Sequence, residues 1–332
     1  MTTAHGGNVF AVAQRHGWDW REIADFSASI NPLGPSACVR PAIVKAMDRI
    51  MHYPETDAAS LRRALADAWD IAPDNIVAGN GATELIHYLA RTLQVDSVAL
   101  AAPVFSEFHR AYPNAAIVDF DSRAWPDHGL IVVTRPANPT GAMPILGDYL
   151  RNTTNPVIID ESFIEFTAAA SLVGMVQSRP SLYVLRSLTK FHAIPGLRVG
   201  AVAGPVDELR RWSREPWSVN VLAEAAVIAS LGDTMHATQT VVFVNEERDW
   251  LLQQLAQIAG VRPLPSAANF LLLDLDRPVQ PIARALELQQ VLVRDCSGWP
   301  GVKHPNAMRV AVRPRIENLR LIEGLKGALC ES

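Results

Sequence analysis

The chain has 332 residues, 49% of them hydrophobic and 19% charged, with a formal net charge of -4. That length allows roughly two domains with a self-sufficient core, and the composition excludes both a disordered chain and the basic excess with which a protein tracks nucleic-acid phosphates. Cys38, Cys296 and Cys330 are odd in number and far apart, so neither a disulfide framework nor a metal site is expected.

The opening residues Met1-Thr2-Thr3-Ala4-His5-Gly6-Gly7-Asn8 lack the basic start and apolar core of a secretory leader. The most apolar stretch, 218–231, is too short for a membrane span and carries Glu224, so no membrane segment and a cytoplasmic location are expected. Residues 1–45, with the turn-rich Asn31-Pro32-Leu33-Gly34-Pro35, form an N-terminal segment that could pack on a second domain. Helical spacing follows at 41–50, 59–70 and 82–93. Short apolar strands are predicted at 75–78, 97–101, 116–120, 130–134, 157–160, 182–185 and 199–203. Strands alternating with helices give an α/β fold with a mostly parallel sheet covered on both faces. After Gly204 the pattern changes to long helices, notably 233–258, then to strands at 269–275, 291–294 and 308–312 and a final helix from 316. The expected division is a large domain over 46–205, with helices to about 230, and a smaller α+β domain over 231–332.

Only four of the 30 basic residues are lysines: Lys45, Lys190, Lys303 and Lys326. Three have plain surface readings. Lys190 differs, because it closes an apolar, β-favouring run through Arg186-Ser187-Leu188-Thr189 and opens into Ala193-Ile194-Pro195-Gly196.

Ligands in open α/β sheets bind beyond the carboxyl ends of the strands, and four polar clusters lie at such ends. Gly79-Asn80-Gly81-Ala82-Thr83-Glu84 is a strand-to-helix turn that offers free N–H groups to an anion. Thr134-Arg135-Pro136-Ala137-Asn138-Pro139-Thr140-Gly141 ends a strand with a rigid Asn-Pro turn able to fix an amide. Asp160-Glu161-Ser162-Phe163 places two acids after a buried strand, where each carboxylate needs a partner. Ser187, Thr189, Lys190 and Arg198 gather two hydroxyls and two cations. Together these are the parts of a pyridoxal 5'-phosphate site: a lysine to carry the cofactor, an Asp for the pyridine nitrogen, and hydroxyls, an Arg and a helix N-terminus for the phosphate.

As an ordered set, Asn138 to Gly141, Asp160, Ser187 to Lys190 and Gly196 to Gly200 resemble the aminotransferase class I/II family of fold-type I pyridoxal phosphate enzymes. His5-Gly6-Gly7-Asn8, residues 25–34, His52-Tyr53-Pro54 and Arg294-Asp295-Cys296 are similar to its decarboxylase branch. That branch acts on O-phospho-threonine and makes the aminopropanol phosphate of cobalamin synthesis. The histidinol-phosphate aminotransferases are the nearest relatives. The resemblance implies Lys190 and Asp160 as catalytic residues, Asn138 on the ring hydroxyl and Phe105 stacked on the ring. It implies Gly81, Ala82, Thr83, Ser187, Thr189 and Arg198 on the cofactor phosphate, with Tyr53 reaching it from the partner in a homodimer. It also implies Arg309 on the substrate carboxylate, with His5, Gly6, Asn31, Asn138 and Arg294 around a phosphorylated amino acid. Two departures accompany it. Phe163 stands where the family commonly has a tyrosine, and Ser29 where the branch often has an asparagine. The function implied is decarboxylation of O-phospho-threonine. Transamination of histidinol phosphate or a related amino acid is the alternative, and a non-enzymatic binding module is disfavoured by the intact Lys190.

Overall fold

The computed structural model describes residues 6–121, 125, 129–212 and 215–330. In chain order the strands are β1 (Ala24–Asp25), β2 (Ile76–Gly79), β3 (Val98–Ala102), β4 (Ala116–Asp119), β5 (Leu130–Thr134), β6 (Val157–Asp160), β7 (Leu182–Ser187), β8 (Gly200–Ala203), β9 (Val261–Pro263), β10 (Phe270–Leu275), β11 (Val291–Leu292), β12 (Arg294–Asp295) and β13 (Ala307–Ala311). Seven of them make one sheet in the order β2-β8-β7-β6-β5-β3-β4. All its neighbours are parallel except β8, which runs antiparallel to both β2 and β7.

The central strands are buried at every position and apolar up to their carboxyl ends, because the sheet is covered on both faces, and alternate residues enter different cores. Ile131, Val133, Val157, Ile159, Leu182 and Val184 pack on one side with Leu61, Leu65 and Val227. Leu130, Val132, Ile158, Tyr183 and Leu185 pack on the other with Leu85, Leu89 and Phe108. The mostly parallel α/β sheet expected from the strand and helix alternation is thus present.

A four-stranded antiparallel sheet, ordered β12-β13-β10-β9, follows in sequence. Leu271, Leu273, Met308 and Val310 on one of its faces join Leu251, Leu255, Ile282, Leu286, Leu321 and Leu325 from the helices Thr234–Leu255, Val279–Leu288 and Arg315–Cys330. Phe26 enters the same core, and its carbonyl accepts from the Ala311 N–H at 2.9 Å.

Two elements differ from the sequence reading. The single strand expected at 291–294 is two, because the chain changes partner at Val293: Val291–Leu292 lies parallel to Ala24–Asp25, whereas Arg294–Asp295 pairs with Arg309 and Met308. The helix expected at 41–50 is Val39–Ala46, continued by a 3-10 turn over Met47–Met51. Among the described residues, no helix is long and apolar enough to cross a membrane.

Candidate active site

Thr134, Asp160 and Ser187 close the neighbouring parallel strands β5, β6 and β7. Because β8 runs the other way, its first residue, Gly200, arrives at the same end, opposite both Gly79 and Ser187. A Cβ on Gly200 would stand 2.7 Å from the Ala82 nitrogen and 2.9 Å from the Gly81 carbonyl carbon. The missing side chain is therefore what lets the helix Gly81–Thr92 start against the sheet.

That helix has no side-chain N-cap bond, and Glu84 instead accepts the Asn80 N–H at 2.6 Å. The N–H groups of its first turn and the helix dipole favour an anion there. Gly81 has φ +86°, and a Cβ on it would lie 2.5 Å from Nη2 of Arg198. The guanidinium thus stands directly over the helix start. Ser187 Oγ and Thr189 Oγ1 are 2.9 Å apart and buried. The six residues expected around a phosphate, Gly81, Ala82, Thr83, Ser187, Thr189 and Arg198, belong to one corner of the sheet.

Asp160 is 3% exposed. Burial pushes its carboxyl above the usual range, opposed by the hydroxyl and N–H of Ser162, the latter at 2.9 Å, and by the charge of Lys190. Lys190 keeps partial access to solvent. Burial nevertheless lowers its ammonium to about 8; Asp160 opposes that shift while Arg198 and Arg309 add to it. Its Nζ lies 5.2 Å from the ring centre of Phe163, which meets Phe270 edge-on at 5.0 Å. An apolar floor and two nearby cations are what a nucleophilic amine needs.

Arg309 is 7% exposed and sits 5.4 Å over the Phe270 ring. Its Nη1 donates to Asn138 Oδ1 at 2.6 Å and its Nη2 to the Ser27 carbonyl at 2.8 Å, while Nε is buried without a partner. Arg294 is its cross-strand partner, so both arginines project from one face of the sheet. Arg294 also stands 5.5 Å over the Trp299 ring and, with Gly6, Ser27 and Asp295, lines a cleft of ≈ 800 Å³. Gly6 packs against the Ser27 carbonyl, and the Gly7 N–H donates to Ser27 Oγ at 2.8 Å.

The remaining expected residues are placed differently from one another. Phe105 is half-buried in the turn that leaves β3. Tyr53 is 80% exposed and stacks on Trp217 at 4.5 Å. Asn31 is buried beneath Lys190, with its amide nitrogen donating to the Phe191 carbonyl and to Thr240. His5 lies outside the described residues.

Sequence reasoning placed Thr134 at a strand end without giving it a role and missed two further residues. Thr134 is the register partner of Asp160, with a buried hydroxyl that has no hydrogen-bond partner. Phe270 reads as plain strand core, and Thr240 as one more residue of a long helix. Only the tertiary structure brings these two to the site.

The sequence model described as "Aminotransferase class I and II" matches residues 21–325. The threonine-phosphate decarboxylase of Salmonella typhimurium is 33% identical, over 99% of this chain and 97% of its own. The histidinol-phosphate aminotransferase of Moorella thermoacetica is 29% identical over 93% of this chain and 86% of its own. Among solved structures, the L-threonine-O-3-phosphate decarboxylase of Porphyromonas gingivalis superimposes with a TM-score of 0.85 at 24% identity, covering 93% of this chain and 100% of that one. Together with the buried Asp160 and with Lys190 at adjoining strand ends, these likenesses establish that the chain belongs to the class I and II aminotransferase family.

Proposed function

We propose that the chain is a pyridoxal 5'-phosphate enzyme that decarboxylates O-phospho-L-threonine to aminopropanol phosphate. The residues present fit that cofactor. The uncapped helix start, Arg198 and the Ser187 and Thr189 hydroxyls suit a phosphate, Asp160 suits a ring nitrogen, and the orphan Thr134 hydroxyl and Asn138 offer polar contacts to a substituted ring. When bound, the cofactor accepts the electron pair of the bond that breaks at Cα.

The observation that carries the substrate reading is the pair of guanidinium groups on one face of the small sheet, Arg309 and Arg294. A phosphorylated amino acid brings two anionic groups, a carboxylate and a phosphate. Histidinol phosphate brings only the phosphate. Arg309 commits two N–H groups to Asn138 and Ser27 and has Nε in reserve for a carboxylate. Arg294, beside the cleft lined by Gly6, takes the phosphate. Holding both ends of the substrate sets which Cα bond stands perpendicular to the ring, using binding energy remote from the reacting carbon. Lys190 would carry the cofactor between turnovers; freed by the substrate as a neutral amine it would take up a proton, and as the ammonium it would return that proton to Cα.

The same reading assigns residues 46–205, with helices to about 230, to the cofactor-binding unit and 231–332 to the small α+β unit, with 1–45 as a segment over the substrate. It makes the active form a homodimer. Val44, Met47, Ile50, Met51, Tyr53 and Trp217 leave apolar surface exposed, between 44% and 80% of each residue, and a second subunit over this surface brings Tyr53 to the partner's phosphate corner. Sedimentation should give twice the chain mass, and a fully active monomer would contradict the shared site.

A product assay tests the reaction. O-phospho-threonine should yield carbon dioxide and aminopropanol phosphate at a rate indifferent to 2-oxoglutarate. Glutamate formed in step with loss of histidinol phosphate, without carbon dioxide, would make the protein an aminotransferase instead.

A further inference from the structure

Asn31 is 2% exposed; its backbone carbonyl accepts the Gly34 N–H at 3.1 Å within its own turn, and its other hydrogen bonds tie three parts of the chain together. Its backbone N–H donates to the carbonyl of Lys190 at 3.0 Å. Its side-chain nitrogen donates to the carbonyl of Phe191 at 2.9 Å and to Thr240 Oγ1 at 3.0 Å, and its side-chain oxygen accepts the Leu33 N–H at 3.0 Å. The orientation of the amide is fixed by chemistry, because a carbonyl can only accept and a backbone N–H can only donate. Both amide hydrogens are therefore in use, and Asn31 has no donor left for a phosphate or carboxylate.

Four residues earlier, the Ser27 carbonyl accepts Nη2 of Arg309, and Ser27 Oγ accepts the Gly7 N–H and donates to Asp25 at 2.6 Å. Ser27, Ser29 and Asn31 are all buried. One short segment thus grips the peptide of Lys190 at its end and the guanidinium of Arg309 at its beginning. The two groups sit on different sheets: Lys190 follows β7 of the large sheet, and Arg309 lies in β13 of the small one.

We infer that residues 27–31 act as a spacer fixing the distance between Lys190 and Arg309, with Asn31 as a positioning residue for Lys190 rather than a contact to substrate. This rests on the reading of Lys190 as the cofactor-carrying lysine. The spacer determines where the amine stands relative to a carboxylate held by Arg309, and a misplacement of about 1 Å at such a site costs up to about 100-fold in rate. Thr240, 0% exposed on the long helix Thr234–Leu255, backs the spacer from behind.

The test uses three variants: Asn31→Ala, Asn31→Asp and Thr240→Val. The aspartate keeps an acceptor for the Leu33 N–H but turns a second oxygen toward the Phe191 carbonyl. Thr240→Val removes one acceptor with almost no change of shape, so it reports on the spacer if the Asn31 variants fold poorly. Two readouts are taken. The first is the pH dependence of pyridoxal phosphate capture on Lys190, fixed by borohydride and read by peptide mass. In the wild type, capture should rise with pH through a midpoint near 8, since only the neutral amine reacts. Loosening the Lys190 peptide admits water to an amine otherwise surrounded by Asp160, Arg198 and Arg309. The midpoint should then move up, by about one unit for the Asn31 variants and less for Thr240→Val. The second readout is kinetic: kcat should fall about 100-fold in Asn31→Ala while KM for O-phospho-threonine stays within about threefold, as for an interaction lost only at the reacting centre.

A raised KM with unchanged kcat and an unmoved capture midpoint would overturn the inference, because it would make Asn31 a substrate contact. Absence of Lys190 capture in the wild type would instead overturn the cofactor reading itself. The two failures are distinguishable because capture on Lys190 is read without substrate.

Discussion

Lys190→Ala should abolish turnover, with kcat lowered by about 10⁴-fold or more, and borohydride should no longer fix pyridoxal phosphate anywhere on the chain. The expectation is strong because nothing can substitute. Lys45 and Lys326 are exposed on helices. Lys303 is ion-paired to Asp119 at 2.7 Å, which holds its ammonium above the usual value. The ammonium of Lys190 is brought down to about 8 by burial, with Arg198 and Arg309 adding to the shift. Lys190→Arg sharpens the test, since arginine preserves the positive charge beside Asp160 but cannot give up its proton at any working pH. If the role of Lys190 were to balance the Asp160 carboxylate, the arginine would rescue. If its role is to be a nucleophile and proton carrier, the arginine should be as inactive as the alanine. Activity in Lys190→Arg, or a borohydride label on another lysine, would refute the assignment.

The strands that carry the chemistry were legible because their burial is local in origin. Residues 130–134 and 157–160 are unbroken runs of β-branched and aliphatic residues ending in a polar residue, and the structure gives strands with those bounds. A strand buried on both faces needs no knowledge of its partners to be read. What depends on partners was not legible. The antiparallel course of β8, which brings Gly200 to the helix start, has no local signature, although Gly200 itself stood in the motif. The run 291–294 looked like one strand because its residues are uniformly apolar up to Arg294, yet its two halves pair with chain segments more than 250 residues away on one side and nearby on the other. Asn31 shows the limit for single side chains. Its place in a turn was read from Asn-Pro-Leu-Gly, whereas its bonds to Phe191 and Thr240 come from residues 160 and 209 positions distant.

The acids after β6 lie between these cases. That Asp160 and Glu161 both need partners follows from the cost of burying a charge; which partners they find is a matter of the fold. Glu161 is 0% exposed and turns away from Lys190 into a knot of cations. Its Oε1 accepts Arg135 Nη1 at 3.1 Å and the Leu172 N–H at 3.0 Å, and its Oε2 accepts the Ser171 hydroxyl and faces Arg186 Nη2 at 3.5 Å. Arg186 is 5% exposed, shares its charge with Glu165 at 3.6 Å and lies 5.1 Å over the Trp69 ring. Removing the central carboxylate strands two enclosed guanidinium groups, so Glu161→Ala should lose about 3–5 kcal/mol of stability, read as a lowered urea midpoint. Glu161→Gln retains an acceptor for the Leu172 N–H and should lose less. The loss should also reach the site, because Glu161 follows Asp160 in the chain, the Arg135 N–H donates to the Asp160 carbonyl at 2.8 Å, and Arg186 precedes Ser187. Pyridoxal phosphate retention should therefore weaken in the same order as stability, alanine more than glutamine. A Glu161→Ala protein with the wild-type urea midpoint would show that the arginines find other partners and that this knot does not hold the strand ends in place.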